Sequence, residues 1–276
     1  MRGARPSLTA VGGALVGVLV VVAIFAPLLA PHDPRALVGG YLERPSAEHL
    51  LGTNEIGQDI FSQLIWGART SLLVTVAGGA LAMVVGVLIG VGSGLAGGLV
   101  DEVVTRAVDV FLAIPVLPLL LVVATLAGPN LTTVILVLGL LAWPGVSRLV
   151  HSQTLSLRQR GFVQSAGSFG GGSLYLIRRH LFPALAPVVV AGFIDFATVA
   201  IVLEAGLAFL GLSDPTAVSW GTVLNQALGH PGIYFSPLWT WWILPAGLAI
   251  TVAVLGFTLV GIGLEPAFNP RWRRAR

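Results

Sequence analysis

The chain has 276 residues, 55% hydrophobic and only 10% charged, with a formal net charge of +3; ordinary soluble domains carry about 25% charged residues. It contains no cysteine, which excludes disulfides, iron–sulfur clusters and thiol chemistry. All fifteen basic residues are arginine, so no Walker A lysine exists to reach nucleotide phosphates, and the chain is not expected to hydrolyse nucleotide itself.

Apolar runs of about 20 residues suffice to cross a bilayer as helices, and the sequence predicts six. They run over Thr9–Ala30, Ser71–Leu95, Val108–Leu126, Leu131–Val150, Pro183–Leu212 and Trp239–Gly263. The predicted fold class is an all-α polytopic membrane protein. The first run follows Arg2 and Arg5 but is too long for a signal-peptide core, and PLLAPHDP is a poor cleavage site, so it reads as a retained span. Twelve arginines fall on the side of the N-terminus and three, Arg35, Arg44 and Arg69, on the other. The excess predicts that both termini are cytoplasmic.

Between the first two spans lies a long outer segment, about 31–70, rich in Asp33, Glu43, Glu48, Glu55 and Asp59. Ile56, Ile60, Phe61, Leu64 and Ile65 fall on one helical face, with Asp59, Ser62 and Gln63 opposite. In the second outer segment Trp220, Val223, Leu224 and Leu228 repeat the pattern. Both predict short amphipathic helices at the membrane surface. They serve either as interfacial packing that closes the bundle or as a floor for an external partner, with Glu55, Asp59 and Trp220 as docking candidates.

Within the spans, Gly13 and Gly17, and Gly86, Gly90 and Gly94, recur at every fourth position, the spacing that lets helix backbones approach. Pro115 and Pro118 interrupt the third span and Pro144 the fourth; the carbonyls they free either line a pathway or are satisfied by neighbours. The fifth span carries two carboxylates, Asp195 and Glu204. Insertion of such a charge costs about 2.5–3.5 kcal/mol, so each is expected to face the bundle interior or a wet cavity, as a proton carrier, a structural group or a wall of a translocation path. The five histidines are scattered without metal-ligand spacing, and no nucleophile–base pairing is legible.

The stretch FVQSAGSFGGGSLYLIRRHLFPAL (162–185) stands apart from the apolar blocks. It predicts that the fourth span continues as a helix into the cytoplasm, breaks at Gly170, Gly171 and Gly172, and restarts near Ser173 as a short helix parallel to the membrane. Leu174, Ile177 and Leu181 would share a stripe, with Arg178 and Arg179 facing elsewhere and Pro183 starting the fifth span. Such a knob suits insertion into a partner's groove.

This loop resembles the EAA motif of ABC-importer permeases. Gln164, Ser165 and Ala166 stand at the triplet, Gly170 at its glycine and Phe182-Pro183 at the closing pair. LGTNEIGQDIFSQLIWGARTSLL (51–73), RAVDVFLAIP (106–115), LSLRQRGFV (155–163), RRHLFP (178–183), EAGLAFLGL (204–212) and SWG (219–221) resemble the C-type subunit of the dipeptide/oligopeptide/nickel permease family, in order along nearly the whole chain. The departure is Gln164-Ser165, where the motif has Glu-Ala. The resemblance implies a type I ABC importer permease fold, with 1–70 as an N-terminal span plus outer segment and 71–276 as the transmembrane core. Its coupling loop, about 151–182, would carry Gln164, Ser165, Ala166, Gly170, Gly171, Gly172, Leu174, Arg178, Arg179, His180 and Pro183. It further implies a heterodimer with a B-type permease in a bacterial inner membrane, one or two ABC ATPase subunits and an extracytoplasmic binding protein. ATP and magnesium belong to the ATPases, no cofactor to this chain, and nucleic acid is not a partner. Asp195, Glu204, Pro115 and Pro144 are the candidates for the translocation path. Peptides are the expected cargo; nickel or haem-like ligands, and a proton-coupled peptide carrier, are the alternatives.

Overall fold

The computed structural model describes residues 8–170 and 172–268. Among these every regular element is helical: α1 Leu8–Ile24, α2 Ala26–Leu29, α3 Ile60–Ala96, α4 Gly98–Ala113, α5 Val116–Ala127, α6 Leu131–Arg158, α7 Gly161–Ser168, α8 Ser173–Leu176, α9 Phe182–Phe209, α10 Trp220–Gly229, α11 Leu238–Trp241 and α12 Ile243–Phe268. Four helices or continuous helical runs are long and apolar enough to cross a membrane, or five if α4 and α5 form one bent span. The expected first span is shorter: α1 has 17 residues and breaks at Phe25 before Pro27 enters the first turn of α2, where a missing N–H costs nothing.

Glycine decides which helices touch. An added Cβ at Gly86 would meet Val146 at 2.6 Å, at Gly90 the Ser147 carbonyl at 2.6 Å, and at Gly94 Thr154 at 3.0 Å. The two numberings rise together, so α3 and α6 run parallel with their backbones in close approach. In the first span the register differs from expectation. Gly13 and Gly17 face open space, whereas Gly12 lies against Gly256 and Val260, and Gly263 against Thr9. These pairs make α1 and α12 antiparallel. Ser71 beside Glu204 and Gly79 beside Phe193 and Phe196 make α3 and α9 antiparallel as well. Ala23 at the end of α1 clusters with Ala68 and Leu72 near the start of α3, so the start of α1 and the end of α12 lie on the same face of the bundle as the connector between α6 and α9.

The third span is not a rod: α4 and α5 meet at 86°. α4 ends at Ile114, which is extended (ψ 128°) because a residue preceding proline is driven from the helical region, and Pro115, itself extended, caps α5. Pro115 is exposed, while Pro144 is buried inside an unbroken α6. Polar ties then hold α4 on α6. Asp101 meets His151 Nε2 at 2.6 Å, and Asp109 pairs with Arg148.

Candidate functional site

The connector between α6 and α9 is built differently from the predicted knob. The helix of the fourth span ends at Arg158, not at the glycines, and Arg158 donates to the Gly94 carbonyl at the C-terminus of α3, a favourable position for a cation. A separate short helix, α7, carries Gln164, Ser165 and Ala166; Gln164 and Ser165 are exposed and Ala166 half-buried. Gly170 has φ 86°, the left-handed conformation a reversal requires, and no atom would meet a Cβ there. Gly171 lies outside the described residues; Gly172 is exposed, and its carbonyl accepts from Leu176 N at 3.0 Å.

The restart at Ser173 is as predicted, but no separate helix follows. α8 passes through a π-helical turn, Ile177–Leu181, into α9, giving one run from Leu174 to Phe209. Pro183 thus sits within a continuous helix. Its ring would strike the carbonyl four residues back in a regular α-helix, and the wider turn immediately before it makes room. The predicted stripe is split accordingly. Leu181 is fully buried and Ile177 packs on the cluster around Val150, Leu157 and Leu185, whereas Leu174 is 67% exposed. Arg178 and Arg179 are exposed and line an open groove with Leu174 and Tyr175.

Two aromatic residues overlooked in the sequence hold this connector. The His180 ring lies 5.8 Å from that of Phe162 on α7 and 5.6 Å from that of Tyr175 on α8, the latter edge-on. His180 therefore bridges the two arms. Their only signal in the sequence was their position on either side of the glycines. Phe169 at the tip is 91% exposed.

The other candidates separate. Asp195 is exposed on α9, whereas Glu204 is buried and accepts a hydrogen bond from Ser71 on α3. The two carboxylates do not meet, and Glu204 lies buried between α3 and α9. On the opposite face, the expected interfacial helix is not separate from the second span: Ile60, Phe61, Leu64 and Ile65 form the first turns of α3. Ile56 is exposed in a turn, and Asp59 caps α3, accepting from Ser62 N at 2.7 Å. Asp59, Ser62 and Gln63 are all buried because the 31–59 segment folds back over them. Gln63 donates to the Pro34 carbonyl and His32 N to Ser62. Trp220 is buried too, its Nε1 donating to the Leu64 carbonyl at 3.0 Å with Gly67 leaving room for the ring. Of the three docking candidates only Glu55 reaches the surface, 3.4 Å from His230 of the second outer segment.

Comparison with known proteins sets these features in a family. The model for "binding-protein-dependent transport system inner membrane component" matches residues 82–274, and that for the "N-terminal TM domain of oligopeptide transport permease C" matches residues 7–45. The chain belongs to this transport permease family. A chain of Brucella suis biovar 1 whose name is that of a peptide permease is 38% identical to this permease over 251 residues, 89% of this chain and 81% of the relative. The dipeptide transport system permease protein of Alkalihalophilus pseudofirmus is 33% identical over 272 residues, 98% and 88% of the two chains. The di/tripeptide transport system permease protein of Pseudomonas aeruginosa is 33% identical over 276 residues, 96% and 89%. The permease is thus a multi-pass membrane component of a transport system, of the kind that works in a multi-subunit complex.

Proposed function

We propose that this permease forms half of the translocation pathway of an ATP-driven importer of di- or oligopeptides in a bacterial inner membrane. Paired with a homologous B-type permease, it receives peptide from an extracytoplasmic binding protein. Its connector delivers the movement of one ABC ATPase subunit to α6 and α9. ATP and magnesium sit on the ATPases, and this chain carries no hydrolytic site of its own. Six passes with both termini cytoplasmic follow if α1 with α2 and the bent α4–α5 pair each cross once. The connector then lies in the cytoplasm and the 31–59 segment outside.

One observation carries the reading. The exposed α7–Gly170–α8 arm is anchored by Leu181 and Leu185 in the core while presenting Gln164, Phe169, Leu174, Arg178 and Arg179 outward. The dipeptide names of the relatives support peptide over nickel or haem-like cargo. The test is reconstitution of the complete complex in proteoliposomes, with uptake of a labelled dipeptide measured with and without ATP. Uptake should require ATP and the binding protein, and the isolated chain should hydrolyse none. Uptake driven by a proton gradient without ATPase subunits would overturn the proposal.

A further inference from the structure

The histidines that look scattered in the sequence are partly gathered by the fold. His32 follows α2, His49 lies 17 positions later in the outer segment, and Asp59 caps α3 another 10 positions on. Spacing of 17 and 10 matches no recognisable ligand motif. The 31–59 segment nevertheless folds so that one donor atom from each lies within 4.8 Å of the other two. His49 Nδ1 is 3.1 Å from Asp59 Oδ1, His32 Nδ1 is 3.9 Å from Asp59 Oδ2, and the two rings are 5.1 Å apart. Donors held ~2.0–2.1 Å from a tetrahedral zinc ion are about 3.3 Å from one another, so small side-chain rotations close the set.

We propose that His32, His49 and Asp59 bind a divalent transition-metal ion of the zinc class, fastening the outer segment to the N-terminus of α3. Three observations point to a ligand there. His32 Nδ1 is buried, aimed at Asp59, and has no hydrogen-bond partner, which a buried ring nitrogen does not tolerate cheaply. The far nitrogen of His49 faces a second carboxylate, Glu43 Oε2 at 4.0 Å, the outer carboxylate–histidine arrangement that fixes a ligating imidazole. Asp59 is itself held in place, one oxygen accepting from Ser62 N. Two imidazoles and one carboxylate favour zinc-class ions over magnesium or calcium, which take oxygen donors. His32 is the most exposed of the three side chains, 27% against 3% for His49 and 1% for Asp59, so an ion would enter from its side.

The experiment uses the full-length chain, without a histidine tag, in detergent after stripping with EDTA and exchange into chelator-free buffer, titrated with zinc chloride against a chromophoric competitor. One zinc per chain should bind, and the thermal midpoint should rise with zinc but not with magnesium. His32→Ala removes a ligand yet keeps the backbone bond from residue 32 to Ser62, and should weaken zinc about 100-fold or more. Glu43→Gln should weaken it by about 10-fold, whereas His151→Ala and His230→Ala should leave it unchanged. Absence of stoichiometric binding and of a zinc-dependent midpoint in the wild type overturns the site. So does wild-type affinity in His32→Ala. If His32→Ala does not fold, the wild-type midpoint and Glu43→Gln decide.

Discussion

The Ser71 hydroxyl donates a 2.9 Å hydrogen bond to the Glu204 carboxylate, joining α3 to α9 from positions 133 apart in sequence. Both residues are buried, with Glu204 1% exposed. A polar pair so placed fixes the register of two long apolar helices that would otherwise slide, and leaves either partner costly to remove alone. Glu204→Gln keeps an acceptor oxygen of nearly the same volume, so ATP-driven uptake should stay within a few-fold of wild type at every pH. Glu204→Ala strands the Ser71 hydroxyl and should destabilise by about 1–3 kcal/mol, read as thermal stability in detergent. Abolition of uptake by Glu204→Gln in a fully assembled complex would instead make it a proton carrier.

Trp220 and Glu55, paired in the sequence as docking candidates, now part. Trp220 fills the space over Gly67 and is 1% exposed, so Trp220→Ala should cost about 3–5 kcal/mol, as emptied aromatic core sites do. Glu55 is surface-exposed beside His230, so Glu55→Gln should leave the thermal midpoint within a degree or two. A docking role for Glu55 then shows only as weakened capture of the binding protein, measured by surface plasmon resonance on the assembled complex.

Which features were legible follows from the range of the forces that make them. Gly86, Gly90 and Gly94 were readable because helical periodicity alone puts them on one face, and that face is the one on α6. Gly13 and Gly17 stand out in the sequence and Gly12 does not, because only the partner helix, Gly256 and Val260 of α12, selects among neighbouring faces. Asp59 looked like the wet side of an amphipathic helix, yet it is buried by His49, ten positions away, in a loop with no periodicity to read. Pro183 reads as a helix start because proline rejects a regular helix interior; the π-turn of residues 177–181 relieves that conflict and has no sequence signature. Pro115 marks a break, but the 86° between α4 and α5 is not legible from it, nor are the pairs Asp101–His151 and Asp109–Arg148 that hold α4 on α6 across 50 and 39 positions.

Glycines on one helix should respond oppositely. At Gly86 a Cβ would sit 2.6 Å from Val146 and 3.0 Å from the Trp143 carbonyl, whereas at Gly92 it meets nothing within 4 Å. Gly86→Leu should therefore force α3 from α6 at about 1–3 kcal/mol. Gly92→Ala should be neutral or stabilising by up to about 1 kcal/mol through helix propensity. Thermal midpoints of the purified complex check both. Equal effects at the two sites would mean that α3 does not pack on α6 along this stripe.

At the connector Gly170 and Gly172 differ in the same way. Gly170 has φ 86°, so a β-branched side chain there is strained by about 1–3 kcal/mol although no neighbour obstructs it. Gly172 lacks a positive φ and is equally unobstructed, so Gly172→Ala should be silent. In Gly170→Val the strain has an easy outlet. The arm holding α7 is exposed, while α8 is tied through Leu181 to the core, so displacement of α7 and of the Phe162–His180 contact relieves it without disturbing the bundle. Membrane insertion and pairing with the second permease should stay at wild-type levels. Pull-down of the ATPase, or stimulation of hydrolysis by loaded binding protein, should fall by about 5-fold or more, the low end of what 1–3 kcal/mol spent at a docking surface gives. Gly170→Asn, a residue that tolerates φ > 0, should recover most of that loss. If Val and Asn behave alike, the turn does not position the arm, and the connector merely joins α6 to α9.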